Sequence, residues 1–434
     1  MKRIILSVAA LLLMHVLQAQ PVKRLIKVKE VTRIEEILSA DDMEGRRTFT
    51  PGIEKAAVFI ENEFKKIGLK TFNGATNYRQ NFMMYQSINI DKKVIINDQR
   101  IEDSLVVSFS FDPQVKFTEK TGVEVVKISA GDKFGQKFYQ YYQSKKDLLV
   151  IVDSSFTSRL AAIKKRDRIV AEPTKNTVVF VFGVTDATTF SVELNNNVVN
   201  KSLTNLIGII PGKTKRDEYV IFSGHYDHLG VGAPQEGLPT NDTDTIYNGA
   251  NDDAAGTTAV IMLAKYFKRR NNNKRTIIFT TFAAEEIGGF GSQYFSKQLK
   301  PEKVAAMFNI EMIGTESKWG RNSAYITGYE KSNMGEILQK NLTGSLFTFH
   351  PDPYPTEQLF YRSDNATLAL LGVPAHTIST SKMDSEPNYH KVSDEIETLD
   401  LNNMAAVIRA IALSATTIVS GEDSPTRVDI NKLK

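Results

Sequence analysis

The sequence predicts an α/β protein with a mainly parallel central sheet, helices on both faces of that sheet, and an inserted β-rich domain. From about residue 203 onward, short apolar segments rich in β-branched residues alternate with helical patterns, which is typical of parallel strands joined by crossover helices. Between residues 80 and 202, strand-like segments instead follow one another with polar turns between them. The 434 residues leave room for both parts.

The first residues are typical of a secretory signal peptide. Lys2 and Arg3 give a charged start, residues 4–17 are mostly apolar, and Ala19 offers a small residue for cleavage. We therefore predict that residues 1–19 are removed on export to the periplasm or the exterior; the alternative is a buried N-terminal helix. The apolar stretch is short for a membrane span, and no second stretch is predicted to be long enough, so we expect no stable membrane anchor.

The overall composition argues against several classes of protein. The net charge is only +4, from 54 basic and 50 acidic residues, and the basic residues are scattered, which argues against binding to nucleic acid. The absence of cysteine rules out disulfides and a cysteine-linked lipid anchor. It also limits the side-chain ligands of any metal mainly to His, Asp and Glu, which suit zinc, manganese and similar cations.

Residues 20–80 are predicted to begin the main domain and residues 81–202 to form the insert. Helices are expected at residues 32–39 and 53–67, the second of them ended by Gly68. The strands expected in the insert are residues 94–96, 105–109, 123–128, 148–152 and 178–182. Its aromatic and basic tract, residues 131–146, predicts an amphipathic surface helix rather than a nucleic-acid platform. The insert carries no catalytic cluster, so we expect it to pack against the rest or to shape access to a cleft.

Residues 203–422 are predicted to complete the main domain, with residues 423–434 as a tail. The strands expected there are residues 206–210, 219–223, 276–282, 304–310, 324–326 and 375–379. The helices expected there are residues 252–270, 292–299, 331–339 and 401–419. In open α/β sheets the functional site lies at the carboxyl ends of the strands, and several polar clusters follow these strands.

The first cluster contains His225 and Asp227 at the end of a strand. In an extended segment, residues two apart point to the same side, so the Asp227 carboxylate could brace the imidazole and fix its tautomer for metal binding. A structural role for His225 is the alternative at this point.

Acidic residues follow the next elements. Asp252 and Asp253 begin a predicted helix, where they could act as a cap, although two adjacent acids exceed what a cap requires. Glu285 and Glu286 end a buried strand, where neighbouring carboxylates repel one another unless they share a cation or a proton. Glu311 ends the following strand and would otherwise need a salt bridge. These carboxylates are candidates for a metal site, and one of the Glu285–Glu286 pair could act as a general base.

A histidine that completes the site should lie downstream, and three are available. His350 stands beside a proline in a Pro-rich loop, and His376 lies within an apolar strand, where core packing is expected. His390 lies in a polar loop ahead of the last helix and is the preferred candidate.

These residues fall into five motifs that resemble the M28 family of zinc aminopeptidases. The motifs are Gly224-His225-Tyr226-Asp227, Asn248-Gly249-Ala250-Asn251-Asp252-Asp253-Ala254-Ala255-Gly256, Ala284-Glu285-Glu286-Ile287-Gly288, Asn309-Ile310-Glu311-Met312-Ile313-Gly314 and Tyr389-His390-Lys391-Val392-Ser393-Asp394. Their order resembles that of the family, as do the successive intervals of 27, 34, 25 and 79 residues from His225 to His390. The segment 38–70, with Glu44-Gly45-Arg46, also resembles the start of the family's catalytic domain. The resemblance implies the phosphorylase/hydrolase-like fold of the zinc aminopeptidases.

The resemblance also implies two zinc ions per chain. His225 and Glu311 would bind one ion, Glu286 and His390 the other, and Asp252 would bridge both. Many members have Asp where Glu311 stands, so the affinity or metal preference of that site is open. Open coordination positions would remain for water and substrate, as catalytic zinc requires.

The catalytic roles implied by the resemblance fall on three further residues. Glu285 would be the general base acting on the bridging water, Asp227 would orient His225, and Tyr389 would assist the carbonyl oxygen, as in some members. The expected activity is removal of N-terminal residues from peptides by an exported enzyme. The alternatives are dipeptidase, carboxypeptidase or glutaminyl cyclase action, or a receptor-like ectodomain that has lost catalysis. The insert resembles protease-associated inserts in position only.

Overall fold

The computed structural model describes residues 22–164, 169–232 and 244–433, and the predicted signal peptide lies outside these ranges. The chain divides into two compact units. The main unit contains the residues up to Phe82 and those from Leu203 onward, and the second unit is Met83–Ser202.

The structure gives the following elements within the described residues. The helices are α1 (Val28–Leu38), α2 (Pro51–Ile67), α3 (Phe134–Tyr142), α4 (Leu160–Lys164), α5 (Ala255–Arg270), α6 (Phe290–Ser296), α7 (Met334–Asn341), α8 (Asn365–Ala369), α9 (Leu401–Ser414) and α10 (Thr416–Ser420). The strands are β1 (Lys70–Thr71), β2 (Arg79–Ile96), β3 (Gln99–Arg100), β4 (Val106–Phe109), β5 (Gln114–Thr118), β6 (Glu124–Ile128), β7 (Leu148–Val152), β8 (Ile169–Val170), β9 (Val178–Phe182), β10 (Phe190–Ile210), β11 (Lys215–His225), β12 (Gly230–Val231), β13 (Ile246–Tyr247), β14 (Arg275–Phe282), β15 (Val304–Ile310), β16 (Ser323–Ile326), β17 (Thr348–Pro351) and β18 (Ala375–Ser379).

The sheet of the main unit has the strand order β17-β16-β18-β15-β11-β14-β10. Its centre, β14-β11-β15-β18, is parallel throughout, whereas β10 pairs antiparallel with β14, and β16 pairs antiparallel with β18. The carboxyl ends of the four central strands therefore meet at one edge. This arrangement confirms the predicted α/β class with a mainly parallel central sheet.

Alternation along the central strands gives each face of the sheet its own apolar layer. Ile221 of β11 lies in one core cluster with Ile278 of β14 and Met307 of β15, and helices α6 and α8 contribute to the same cluster. The next residue, Phe222, stacks on Phe267 of α5 on the other face. The strands are thus buried on both faces, which explains why they are continuous apolar segments in the sequence.

The segment Leu401–Ser420, which contains α9 and α10, is long and apolar enough to cross a membrane by length and composition alone. This differs from the prediction that no second apolar stretch reaches that length. The segment is 67% buried within the protein, and α9 packs against α1, α5 and α7. A buried core helix passes the same test of length and composition, so the segment is weak evidence for a membrane span.

The second unit contains a four-stranded sheet of order β4-β9-β7-β6, in which β6, β7 and β9 are parallel and β4 is antiparallel to β9. Apolar clusters cover both faces of this sheet. Helix α3 lies within the aromatic tract, and its Phe138 is buried while Tyr139 is exposed. The tract therefore forms the amphipathic helix that its sequence predicts.

Candidate active site

The predicted site residues meet at the carboxyl edge of the main sheet. His225 is the last residue of β11, and Glu311 follows β15 directly. Glu285 and Glu286 follow β14 after a sharp bend, at which Ala284 takes a left-handed conformation with φ of 65°. Because β11 is parallel to both neighbouring strands, these side chains lie close together. Loops then bring Asp252 and His390 to the same place.

The distances around Asp252 fit metal coordination. His225 Nε2 lies 3.3 Å from Asp252 Oδ1, and His390 Nε2 lies 3.3 Å from Asp252 Oδ2 and 3.2 Å from Glu286 Oε2. Two ligands of one tetrahedral zinc ion lie about 3.3 Å apart, since zinc–ligand bonds are about 2.0–2.2 Å long. Each imidazole thus faces a different oxygen of Asp252, which is the arrangement of a bridging carboxylate.

Three buried atoms of the imidazoles and predicted metal ligands have no hydrogen-bond partner within the described ranges: Nε2 of His225, Nε2 of His228 and Oε2 of Glu311. The first and the last belong to a group in which His225, Asp252 and Glu311 can place their ligand atoms within 4.8 Å of one another. An unpaired buried polar atom costs free energy, whereas the same atom bound to a cation does not. The donor set of imidazoles and carboxylates therefore fits zinc.

The histidines and two of the carboxylates behave as ionic partners. Burial lowers the pKa of His390, but hydrogen bonds to Asp252 and Glu286 outweigh burial and raise that pKa to about 10. Burial and the charge of Asp252 would raise the pKa of Glu286, but His228 and His390 outweigh them and bring it to about 2. The pKa of Asp252 is likewise held well below its usual range, against burial, by His225 and His390.

The pKa values of the other carboxyl groups in the cluster are raised rather than lowered. Burial raises the pKa of Asp227 and of Glu311 to about 7 each, and the positive charge of His225 offsets only part of that. Burial raises the pKa of Glu285 well above its usual value, and the charges of Glu311 and Glu286 add to the rise. More carboxylates converge here than the imidazoles can neutralise, and two divalent cations would supply the missing positive charge.

The contact that orients the His225 imidazole differs from the prediction. Nδ1 of His225 lies 3.1 Å from the backbone carbonyl of Asp227, whereas the Asp227 carboxylate is 3.8 Å away, too far for a hydrogen bond. That carboxylate instead accepts from the backbone N–H of Glu285 at 3.1 Å and of Glu286 at 3.4 Å. Asp227 therefore orients His225 through its main chain and holds the Glu285–Glu286 turn through its side chain.

The Asp252–Asp253 turn also differs from the prediction of a helix over residues 252–270. Helix α5 begins at Ala255, and both Asp residues have non-helical backbone angles. The Asp253 carboxylate accepts from the backbone N–H of Gly256 and Met312 at 3.0 Å and of His225 at 3.2 Å. Asp253 thus ties together three segments of the site and leaves Asp252 free to face the imidazoles.

Two residues that support this edge were not predicted. The fully buried guanidinium of Arg46 donates to the backbone carbonyls of Leu38, Tyr226, Asn248 and Gly249 at 2.6–2.9 Å. The buried Asp394 carboxylate accepts from the backbone N–H of Asn251 at 2.9 Å and of Asp252 at 3.0 Å. Both residues occur in the segments that resemble the M28 family, which was the available signal, but their contacts are not evident from the sequence.

A third imidazole, His228, also went unpredicted. It is fully buried, and its Nδ1 lies 2.6 Å from Glu286 Oε1. His228, Asp252 and Glu286 form a second group whose ligand atoms lie within 4.8 Å of one another. The available signal was its position next to Asp227 in Gly224-His225-Tyr226-Asp227-His228.

The other candidate histidines lie elsewhere. His350 is in β17 and stacks on Trp319 with ring centres 3.9 Å apart. His376 is in β18, with Nδ1 2.8 Å from the carbonyl of Thr327 and Nε2 2.7 Å from Ser332 Oγ, so its ring is satisfied within the core. Of these three, the structure brings only His390 to the carboxylate cluster.

Comparison with known proteins assigns a family to the part of the chain that carries this site. Residues 205–415 match the model of peptidase family M28. These residues belong to family M28. A search of curated protein sequences finds no match. This M28 domain, residues 205–415, is therefore a peptide-bond hydrolase by family, and its mixed α/β fold is that of the zinc aminopeptidases.

Solved structures extend the comparison to most of the chain. An aminopeptidase from Aneurinibacillus sp. strain AM-1 is 17% identical with a TM-score of 0.54, covering 96% of this chain and 98% of that one. A zinc aminopeptidase from Bacillus subtilis is 16% identical with a TM-score of 0.53, covering 93% and 99%. A glutaminyl cyclase from Bacteroides thetaiotaomicron is 12% identical with a TM-score of 0.50, covering 92% and 99%. At these identities the likeness concerns the fold.

The M28 domain has a cavity of about 320 Å³ beside the carboxylate cluster. Glu285, Glu311 and Tyr389 line it, and Arg362 contributes to its wall. The Tyr389 ring stacks on His390 with centres 4.0 Å apart, and burial raises the pKa of its hydroxyl, which keeps the hydroxyl protonated. A peptide bound in this cavity would lie against both Glu285 and the predicted metal ligands.

Proposed function

We propose that the protein is an exported, zinc-dependent aminopeptidase that binds two zinc ions and removes N-terminal residues from peptides. The observation that carries the proposal is Asp252, whose two oxygens each face a different imidazole at 3.3 Å. One carboxylate with this double role, next to further carboxylates, fits a pair of cations better than a single one.

In the proposed assignment, His225 and Glu311 would hold one zinc ion, Glu286 and His390 would hold the other, and Asp252 would contribute to both sites. The ions would supply Lewis-acid polarisation of the scissile carbonyl and lower the pKa of the attacking water. Glu311 is longer by one methylene than the Asp of many members, yet its carboxylate reaches the same group as His225 and Asp252.

Glu285 is the proposed general base. Its carboxyl lines the cavity, and its backbone N–H is held by the Asp227 carboxylate, so its position is fixed. Glu285 takes the proton of the water whose oxygen adds to the carbonyl carbon, and it delivers that proton to the amine nitrogen when the C–N bond breaks. Tyr389, kept protonated by its raised pKa, can donate a hydrogen bond to the carbonyl oxygen.

The Glu285→Gln variant tests the base. We expect it to retain fold and zinc and to lose about 10²–10⁴-fold in the rate of aminoacyl anilide hydrolysis, the range for general-base catalysis. Glu302→Gln, an exposed position at the amino end of β15, is the matched control and should keep wild-type activity. Wild-type turnover by Glu285→Gln would place the base elsewhere.

The substrate class and the export are tested separately. Wild-type protein freed of metal and reloaded with zinc should cleave peptides with a free N-terminus and not their N-acetylated forms. Release of C-terminal residues would support the carboxypeptidase alternative, and cyclisation of N-terminal glutamine without hydrolysis would support the cyclase alternative. No reaction on any substrate would refute the enzymatic proposal.

The export proposal predicts a mature chain that begins at Gln20, to be read by N-terminal sequencing of protein from the periplasm or medium.

A further inference from the structure

His228 is a buried imidazole within the site to which the proposed function assigns no role. Its Nδ1 contacts Oε1 of Glu286 at 2.6 Å, whereas His390 Nε2 faces the other oxygen, Oε2, at 3.2 Å. The two imidazoles thus contact different oxygens of the Glu286 carboxylate. Two roles are open to His228: it could bind metal itself, or it could hold the Glu286 carboxylate that binds metal.

The distances distinguish these roles. Two ligands of one tetrahedral zinc ion are about 3.3 Å apart. Nδ1 of His228 is 2.6 Å from Glu286 and 4.0 Å from Asp252 Oδ2, so neither distance fits a shared ion. A separation of 2.6 Å is instead that of a short charge-assisted hydrogen bond, in which the ring N–H donates to the carboxylate oxygen.

The surroundings of the ring fix it in this position. The backbone N–H of His228 donates to the carbonyl of Arg46 at 3.3 Å. On the other side, Gly249 packs so closely that a Cβ there would lie 2.4 Å from Cδ2 of the imidazole, and Gly249 also has a positive φ of 54°. The close approach therefore requires glycine at position 249, and the backbone there restricts movement of the ring on that side.

We propose that His228 is a positioning residue, which donates its Nδ1–H to Oε1 of Glu286 and thereby directs Oε2 toward the cation bound with His390. This inference rests on the zinc site of the proposed function. A carboxylate with one oxygen held in place loses less conformational freedom when its other oxygen binds metal. His228 therefore acts on the affinity of one of the two metal sites, the one that contains Glu286 and His390.

Zinc affinity, measured by competition with a chromophoric chelator, tests this role. Partners of metal ligands typically contribute about 10–100-fold to metal affinity. We expect His228→Ala to weaken one of the two zinc sites by about that factor and to leave the other unchanged. His228→Asn should restore most of the affinity, because the Asn amide N–H lies near the position of Nδ1–H. His350→Asn is the matched control, because the His350 ring stacks on Trp319 away from the carboxylate cluster. This variant should bind zinc as the wild type does.

Other outcomes overturn the inference in distinguishable ways. Wild-type zinc binding by His228→Ala would show that the contact has no such role. Complete loss of one zinc ion in both His228→Ala and His228→Asn, as expected for His390→Ala, would make His228 a ligand. If His228→Ala does not fold, the Asn variant alone decides, since near-wild-type affinity supports the donor role and loss of an ion refutes it. A wild-type protein that binds no zinc would instead refute the proposed function.

Discussion

Replacing Arg46 by Ala should remove most of the stability of the main unit. The Arg46 side chain is fully buried and donates four hydrogen bonds to backbone carbonyls. One of these carbonyls belongs to Tyr226, between His225 and Asp227, and two belong to Asn248 and Gly249, ahead of Asp252. A single guanidinium therefore joins two segments that carry predicted metal ligands.

The expected magnitude follows from these contacts. A buried polar group left without its partner costs about 1–3 kcal/mol. At most three of the four carbonyls are left so, because that of Gly249 also accepts from the backbone N–H of Ala254 at 3.2 Å. Water can enter the space vacated by the side chain and satisfy some of them, so we expect a loss of about 4–6 kcal/mol in the free energy of unfolding. Whole domains are stable by about 5–15 kcal/mol, so the variant should be close to unfolded. Arg46→Lys keeps the charge but not the several N–H donors of the guanidinium. Its loss in the free energy of unfolding should therefore be intermediate.

The single tryptophan makes the measurement specific. Trp319 lies in the main unit, so its fluorescence during urea unfolding follows that unit and not Met83–Ser202. Arg270→Ala, at an exposed position at the end of α5, is the matched control and should change stability by no more than about 0.5 kcal/mol. A loss below about 1 kcal/mol in Arg46→Ala would refute the reasoning that these four bonds hold the edge together.

Two further predictions concern the same buried surroundings. Burial raises the pKa of Glu35 from 4.5 to about 8, against the hydrogen bond from Thr258, so the folded protein keeps a proton that the unfolded chain releases near pH 4.5. The Glu35 contribution to stability is thus fully present below pH 4.5 and is lost as the pH rises through about 8. Glu35→Gln should therefore gain stability relative to wild type over this window, by Trp319 fluorescence; a constant difference between the two proteins would contradict the assignment. Asp394→Ala leaves the backbone N–H groups of Asn251 and Asp252 unpaired, at a cost of about 1–3 kcal/mol each. The variant should therefore lower both the stability of the main unit and the affinity for zinc. Unchanged zinc affinity would show that Asp394 does not position Asp252.

Much of the fold was determined by the sequence alone. The strands Leu148–Val152, Val178–Phe182, Val304–Ile310 and Ala375–Ser379 have the predicted bounds, because strands buried on both faces form mostly apolar segments that stand out in the sequence. The meeting of His225, Glu286 and Glu311 also followed from the sequence, since the carboxyl ends of parallel strands share one edge. The start of α5 was misplaced, because Asp252 and Asp253 bond outward to other segments rather than into the helix. The bounds of α6 and α7 also shifted by two to three residues, the predicted helix 401–419 is divided into α9 and α10, and β17 and α8 were not predicted.

The tertiary structure alone decided how that edge is held. Arg46 is 180 residues from Tyr226 and 202 from Asn248, and Asp394 is 142 residues from Asp252, so no local pattern reveals these bonds. The side-chain role of Asp227 and the contact of His228 with Glu286 likewise depend on the packing of two strand ends. Residue types and their periodicity determined which groups reach the edge of the sheet. The directions of their individual atoms were decided by contacts between segments distant in the chain, which form only when the whole unit is folded.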